Sequence, residues 1–453
     1  MRRSTFLRCA PRTFGLSISF YSGKVALTTT HKLGPMTYRH KMRLVNILVI
    51  ILAVLIVALG FLVFGPGRQY LRAAALLQRI GDGHGDGKLA DYDRHPVEEF
   101  ETSIPNGATP IAGRLYIPRG VPNPPAMVVV HGIHRLGIQE PRLMAFSRAI
   151  SASGIVVLTP ELEDIADYRI TEKSVQTIRA AAKVLHERTG AKVGVMGLSF
   201  AGGLSLIAAS DAKSSADIGF VISVGGHHDL ARVSEFLATD RIPHPDGTVE
   251  TVQAHEYGAL VLVYSHPEDF FSPADVQQAR ETLRLQLWEE PDAARRAAAK
   301  LSRAGRAKME LLLTHKKEAL ADELLASVRK HANSMASVSP SNNLSQLRSS
   351  VLLLHGVGDS VIPTSEILWL EREVAARFLK ASLVTPILSH VDVSKTAKLS
   401  DKLELVRFIA IMMKEAERCA DEAASARHAR RFHGSNIDVH SAALHGGAIG
   451  YAR

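Results

Sequence analysis

Five short runs of uninterrupted apolar residues constrain this chain most. They are Ala126–Val130 (AMVVV), Ile155–Leu158 (IVVL), Val193–Met196 (VGVM), Phe220–Val224 (FVISV) and Val351–Leu354 (VLLL). Runs without polar alternation suit strands covered on both faces. Helical spacing lies between them, over Pro141–Ser151 and Thr171–Arg188. Alternation of this kind predicts βαβ units around a mostly parallel sheet, an α/β fold. A last strand is expected over Ser382–Ile387.

Residues 232–344 interrupt that rhythm. Within them, Pro273–Lys330 is rich in Ala, Leu, Arg and Glu, with opposite charges three and four apart. This predicts amphipathic helices inserted between two strands, in the position of a cap over a pocket. The expected organisation has seven parts: a basic tail (1–43), a transmembrane signal anchor (44–64), a membrane-proximal helix and linker (65–95), a first core segment (96–231), the helical cap (232–344), a second core segment (345–417) and a mobile C-terminal tail (418–453). The glycine-rich GDGHGDG at Gly81–Gly87 marks the linker.

The anchor is read from Leu44–Phe64, 21 residues in which only Asn46 is polar. At about 1.5 Å per residue such a helix crosses a hydrocarbon core. The run is too long and ends too bulkily for a cleaved signal peptide. Charge bears on its orientation. The chain carries 54 Lys and Arg against 45 Asp and Glu. Nine of the basic residues, and no acidic one, lie in 1–43, which leaves 45 against 45 in the rest. The excess charge therefore belongs to the tail, and the body has no general case for nucleic-acid binding. A basic tail favours a cytoplasmic N-terminus and an extracytoplasmic body. Met1, Met36 and Met42 each fit as the start. Two cysteines, Cys9 and Cys419, offer neither a disulfide framework nor a zinc set.

The segment VGVMGLSFAGGLSLIAAS (193–210) carries the chemistry. A short strand runs into Gly197-Leu198-Ser199-Phe200-Ala201-Gly202, and an Ala/Leu-rich helix follows. Such a turn exposes a serine at its apex and needs small residues two positions before and after it, here Gly197 and Ala201. The Phe200 N–H, at the helix start, can face a developing oxyanion. A serine nucleophile needs a base and an orienting acid. VLLLHGVGDSVIP (351–363) places Asp359 in a turn after a strand, and His390 follows the last expected strand. The order Ser199, Asp359, His390 puts each at the carboxyl end of a strand, where open α/β sheets bind ligands. Asp229, in GGHHDL, is the rival acid. His227, His228 and Asp229 are too close in sequence to form a metal site and read as loop residues, as do His131 and His134.

These pieces resemble the α/β-hydrolase-fold serine hydrolases over residues 96–230 and 345–417. The matching motifs are His131-Gly132 after a strand, the GLSFAG elbow, and HGxxDxxIP at His355–Pro363. The resemblance implies Ser199 as nucleophile, His390 as general base and acid, and Asp359 as the residue orienting the imidazole. It also implies an oxyanion hole from the N–H groups of Phe200 and Ile133, and no cofactor or metal. The chain departs from the common pattern at HGIH in place of HGGG, at LSHVD around the histidine, and at Ala201 in place of glycine. The expected activity is hydrolysis of an ester, thioester or amide, on a small-molecule or lipid-like acyl substrate. An acyltransferase or peptidase with the same triad, and an inactive membrane-tethered binding module, are the alternatives.

Overall fold

The structure, a computed structural model, describes residues 38–65, 67–81, 87–107, 109–341, 343–388 and 398–442. The chain divides into units of residues 1–60 and 61–453. The first unit is helical from Tyr38, in a helix that runs to Phe64, and the large apolar side chains from Val45 to Val57 are exposed. Among the described residues no helix is long and apolar enough to cross a membrane. The span expected over 44–64 is thus not found, and several of its side chains, including those of 61–64, lie outside the described set. Most of the basic tail, 1–37, and most of the glycine linker, 82–86, also lie outside it.

The second unit is built on an eight-stranded sheet of order β1-β2-β4-β3-β5-β6-β9-β10. Its strands are β1 (Val97–Ile104), β2 (Ile111–Pro118), β3 (Ala126–Val130), β4 (Val156–Pro160), β5 (Val193–Leu198) and β6 (Ile218–Val224), then β9 (Ser350–Gly356) and β10 (Leu379–Thr385). Between them, β7 (Arg241–Pro243) and β8 (Val249–Thr251) form a separate antiparallel pair. From β4 to β10 every neighbouring pair in the large sheet is parallel, while β2 is antiparallel to both β1 and β4.

The apolar runs are strands because both faces of the sheet are covered. Successive residues point to opposite sides. Val128 and Val130 join Val351 and Leu353 in one core, against Val175, Ile178 and Leu204 of helices Glu172–Thr189 and Phe200–Ser210. Met127 and Val129 join Leu352 and Leu354 in the other, against Ile150, Leu76, Leu405 and Met412. Strands β1 and β2 escape the apolar-run signal because β1 reads VEEFETSI, with its middle residues exposed on the sheet edge. Edge strands carry charge for good reason, since it blocks pairing with other chains. The last strand is Leu379–Thr385 rather than Ser382–Ile387.

Two flanking segments differ from expectation. The helix Gly67–Gly81 is packed into the body, with Ala73 and Leu76 in the same core as Ile409 and Met412. Arg72 pairs with Glu417 and, at 2.8 Å, with Asp93. Buried Arg79 donates to the carbonyls of Ala90 and Tyr92 and to Ser153 Oγ. The C-terminal segment does not loosen at Arg418, where a mobile tail is expected, because the helix Leu399–Ala442 continues through it. Met412, Met413, Ala416 and Cys419 extend the apolar stripe past that point at helical spacing, and all four are buried. Residues 443–453 lie outside the described set.

The insert between β6 and β9 is helical, from Leu230–Thr239 to Ala332–Ser337, apart from the β7–β8 pair. It has a core of its own, including Val263, Tyr264, Phe271, Leu283, Met309 and Leu324.

Candidate active site

Ser199 stands at the joint between β5 and helix Phe200–Ser210, with φ 58° and ψ −135°. A non-glycine residue in that region is strained, and such strain persists only where the surroundings impose it. Here they do. The Ser199 N–H donates to the Val224 carbonyl at the end of β6 (2.8 Å), and the Ser199 carbonyl accepts from the Gly202 N–H (2.8 Å). The turn is too tight for side chains. A Cβ on Gly197 would lie 2.1 Å from the Ala201 carbonyl oxygen, one on Gly202 2.5 Å from Ser223 Oγ, and one on Gly203 2.5 Å from the His227 ring. Gly197→Ala is expected to cost about 3 kcal/mol of stability, the upper end of what overpacking costs, measured by denaturant unfolding.

The loop after β3 runs directly against the serine, for a Cβ on Gly132 would lie 3.1 Å from Ser199 Cβ. His131 fixes that loop. Its buried ring donates from Nδ1 to the Gly132 carbonyl (2.8 Å) and accepts at Nε2 from the Leu162 N–H (3.0 Å). This bonding requires the neutral imidazole, and burial lowers its pKa accordingly. Ile133, the next residue but one, is half-buried against the core. Phe200 is buried and occupies the first helical position, where an N–H has no partner within the helix.

Asp359 lies in the turn after β9 and is 3% exposed. Its Oδ1 accepts from the N–H groups of Val361 (2.8 Å) and Ile362 (3.0 Å). Its Oδ2 lies 3.5 Å from Nε2 of buried His355, which donates to the Ile362 carbonyl (2.9 Å). The turn therefore holds one carboxylate edge by backbone and packs the histidine of HGxxDxxIP behind it. His390 lies outside the described residues, which stop at residue 388 on that side.

The rival acid is otherwise engaged. Asp229 caps the helix Leu230–Thr239, its Oδ1 accepting from the Arg232 N–H (3.0 Å) and its Oδ2 from the Ser341 hydroxyl (3.3 Å). Its two histidine neighbours also have structural partners. His227 donates from Nε2 to the Val338 carbonyl (2.9 Å), and His228 Nε2 meets Glu373 at 2.5 Å.

Sequence reasoning missed Glu366, which holds these loops together. Buried to 1% exposure, it accepts from the N–H groups of His228 (2.8 Å) and Asp229 (2.9 Å) and from the Arg232 guanidinium (2.7 and 3.0 Å). Arg232 also lies over the Trp369 ring, 4.5 Å from its centre. Four donors offset the desolvation of a buried carboxylate. No sequence pattern marks the residue, since an acid in the first turn of a helix is common.

His266, Glu268 and His331, on the insert, bring one ligand-type atom each within 4.8 Å of the others. The two rings stack face to face (3.4 Å, 6°), so their lone pairs run side by side instead of converging, and His331 already contacts Asp269 (2.8 Å). The cluster reads as a clasp within the insert.

Buried His131 and His227 have a consequence for stability. Burial lowers both pKa values, and His227 Nδ1 has no hydrogen-bond partner among the described residues. Above the unfolded value of about 6.5 both states are neutral, so neither histidine contributes a slope. Below it the unfolded chain takes up protons that the folded chain refuses. Each group should then cost about 1.4 kcal/mol per pH unit until its depressed folded pKa is reached. Denaturant midpoints measured between pH 7.5 and pH 5 should fall, and His131→Asn should flatten the fall.

Apex serine, tight glycines and acid turn all lie at the carboxyl edge of the parallel strands. This is an α/β fold with a mostly parallel central sheet. No family model matches the chain, and no curated protein matches it. Among solved structures it is similar to a puromycin-hydrolysing peptidase of Mycobacterium tuberculosis (14% identity, 71% of this chain and 39% of that one, TM-score 0.41). It is also similar to an acylaminoacyl peptidase of Pyrococcus horikoshii (14%, 73% and 43%, TM-score 0.41). An esterase of Pyrobaculum calidifontis is a third (14%, 76% and 92%, TM-score 0.38). The chain spans about two fifths of the length of the two peptidases.

Proposed function

We propose that this chain is a serine hydrolase of the α/β-hydrolase fold that cleaves an ester, thioester or amide through an acyl-enzyme on Ser199. The observation that carries the reading is the strained conformation of Ser199, φ 58° at the joint of strand and helix, imposed by glycines that no side chain can replace. A serine serving only as a helix cap would bond its side chain to the helix, and Ser199 has no such capping bond. In this reading His390 takes the Ser199 proton as the hydroxyl attacks the acyl carbon, then returns it to the leaving group. Asp359 holds the imidazole through Oδ2, its Oδ1 being taken by two backbone donors. The Phe200 and Ile133 N–H groups stabilise the oxyanion of both tetrahedral intermediates. Water then attacks the acyl-enzyme with the same histidine as base. Mixing the chain with a p-nitrophenyl ester and quenching in acid should trap an acyl adduct on the Ser199 peptide; turnover without any adduct on that peptide would sink the reading.

The insert is read as the cap that shapes an acyl pocket. Its His255 N–H donates to the Ser360 carbonyl beside Asp359 (2.8 Å). Its Tyr257 has a pKa raised by burial first and by the Asp359 charge second. The apolar run 44–64 is read as a single membrane anchor with the catalytic unit outside the cytoplasm, supported by its sequence and by the exposed apolar side chains from Val45 to Val57. An anchored chain stays with the membrane pellet in alkaline carbonate, whereas release into the supernatant would contradict the anchor and leave the hydrolase reading untouched.

A further inference from the structure

The edge of the sheet opposite Ser199 gathers cationic residues around one cavity. Strands β5, β6, β9 and β10 are adjacent and parallel, so their amino ends lie together. An open cavity of about 420 Å3 sits there, lined by residues from the starts of all four and from the helix Leu399–Ala442. Five of the lining residues are cationic: Lys192, Arg348, Arg377, Lys380 and Arg418. Two are acidic, Glu415 and Glu422, and both are taken by Arg418, at 2.9 and 2.6 Å.

The other four cations have no carboxylate partner among the described residues. Lys192 Nζ donates to the Ser215 carbonyl (2.9 Å) and Lys380 Nζ to the Arg377 carbonyl (3.0 Å). Arg348 donates to the carbonyls of Ser345 and Leu347 (3.2 and 2.8 Å), and Arg377 lies over the Phe378 ring (4.8 Å from its centre). These contacts place the side chains without neutralising them. Residues 44–453 as a whole hold 45 basic and 45 acidic residues, so the excess of cations around this cavity is local. Uncompensated cations around one cavity repel each other, and an anion bridging them relieves that repulsion. The donors match one class of ligand. Two guanidinium forks and two ammonium groups, from the starts of β5, β9 and β10, suit the several oxygens of a phosphate group, which arginine binds through paired N–H donors.

We infer that this cavity binds a phosphate-bearing anion, remote from the proposed catalytic edge and independent of any reaction there. A free phosphorylated molecule and the headgroup of an anionic lipid share that chemistry. To separate them, the full chain in neutral-detergent micelles is titrated calorimetrically with inorganic pyrophosphate in one arm and with phosphatidylglycerol mixed micelles in the other. The expected result is binding in at least one arm, weakened about tenfold or more by Arg348→Ala with Arg377→Ala, since each charge-assisted bond is worth about that factor. Hydrolysis of a p-nitrophenyl ester should be unchanged by this pair. Binding to pyrophosphate alone assigns a soluble ligand, and binding to mixed micelles alone assigns a headgroup. If the double variant does not melt like the parent, Lys192→Ala with Lys380→Ala replaces it, because both of those side chains are exposed. No binding in either arm, or binding that neither pair of substitutions weakens, overturns the inference.

Discussion

Ser199→Ala should lower kcat/KM for a p-nitrophenyl ester by about 10^4-fold or more, while leaving the chain as stable as the parent. The loss is large because in the proposed mechanism the hydroxyl is the bond-forming group, and knocking out a triad nucleophile in a serine enzyme removes about as much rate as removing the whole triad. What survives is the contribution of the oxyanion donors and of binding. Stability should hold because the Ser199 contacts that shape the turn are made by its backbone, to Val224 and Gly202. Alanine also carries a Cβ, so the strain at φ 58° is unchanged. A variant that keeps more than about a hundredth of the parent rate would remove Ser199 from the chemistry.

The second large effect separates two aspartates. Asp359→Asn should cost about 10^4-fold in kcat, because an amide cannot hold the histidine in the tautomer that accepts the serine proton. Asp229→Asn should cost less than about threefold, since asparagine caps a helix as well as aspartate does. The contrast follows from where each carboxylate spends its oxygens. Asp359 uses one on the backbone of its own turn, whereas Asp229 uses both on the entry to the insert, at Arg232 and Ser341. A silent Asp359→Asn beside a damaging Asp229→Asn would transfer the role to the loop after β6. Equal large losses would instead point to the Glu366 network, which bonds the Asp229 backbone from the helix that follows the Asp359 turn.

Much of this arrangement is legible in the chain before it folds, and the reasons are physical. The five buried strands announce themselves because a strand covered on both faces cannot alternate polar with apolar residues. The elbow is legible because its sterics demand small residues at fixed offsets around a serine. The structure shifts that demand slightly. Gly197 is indispensable, and Gly202 and Gly203 are tight as well, pressed by Ser223 and His227 from the neighbouring strand and loop. That pressure comes from tertiary contacts, so the local sequence does not reveal it. The edge strand β1 is hidden because VEEFETSI is a solvated edge with no apolar run. The continuation of the last helix beyond Arg418 is hidden by the Ala, Arg and His bias around it, although Cys419 completes an apolar stripe begun at Leu405. Glu366 and the cationic cavity were invisible for a deeper reason. Both gather residues from segments far apart in the chain, and only the sheet order brings them together.

The central claim is that Ser199 is an activated nucleophile at the carboxyl edge of the sheet. Treating the full chain with a fluorophosphonate probe, then digesting and mapping the adduct by mass spectrometry, tests it most directly. The prediction is a single adduct on the Ser199 peptide, formed at a rate that Asp359→Asn slows and Asp229→Asn does not, and absent in Ser199→Ala. A chain left unlabelled while a known serine hydrolase in the same tube reacts, or one labelled equally well in Ser199→Ala, would contradict it.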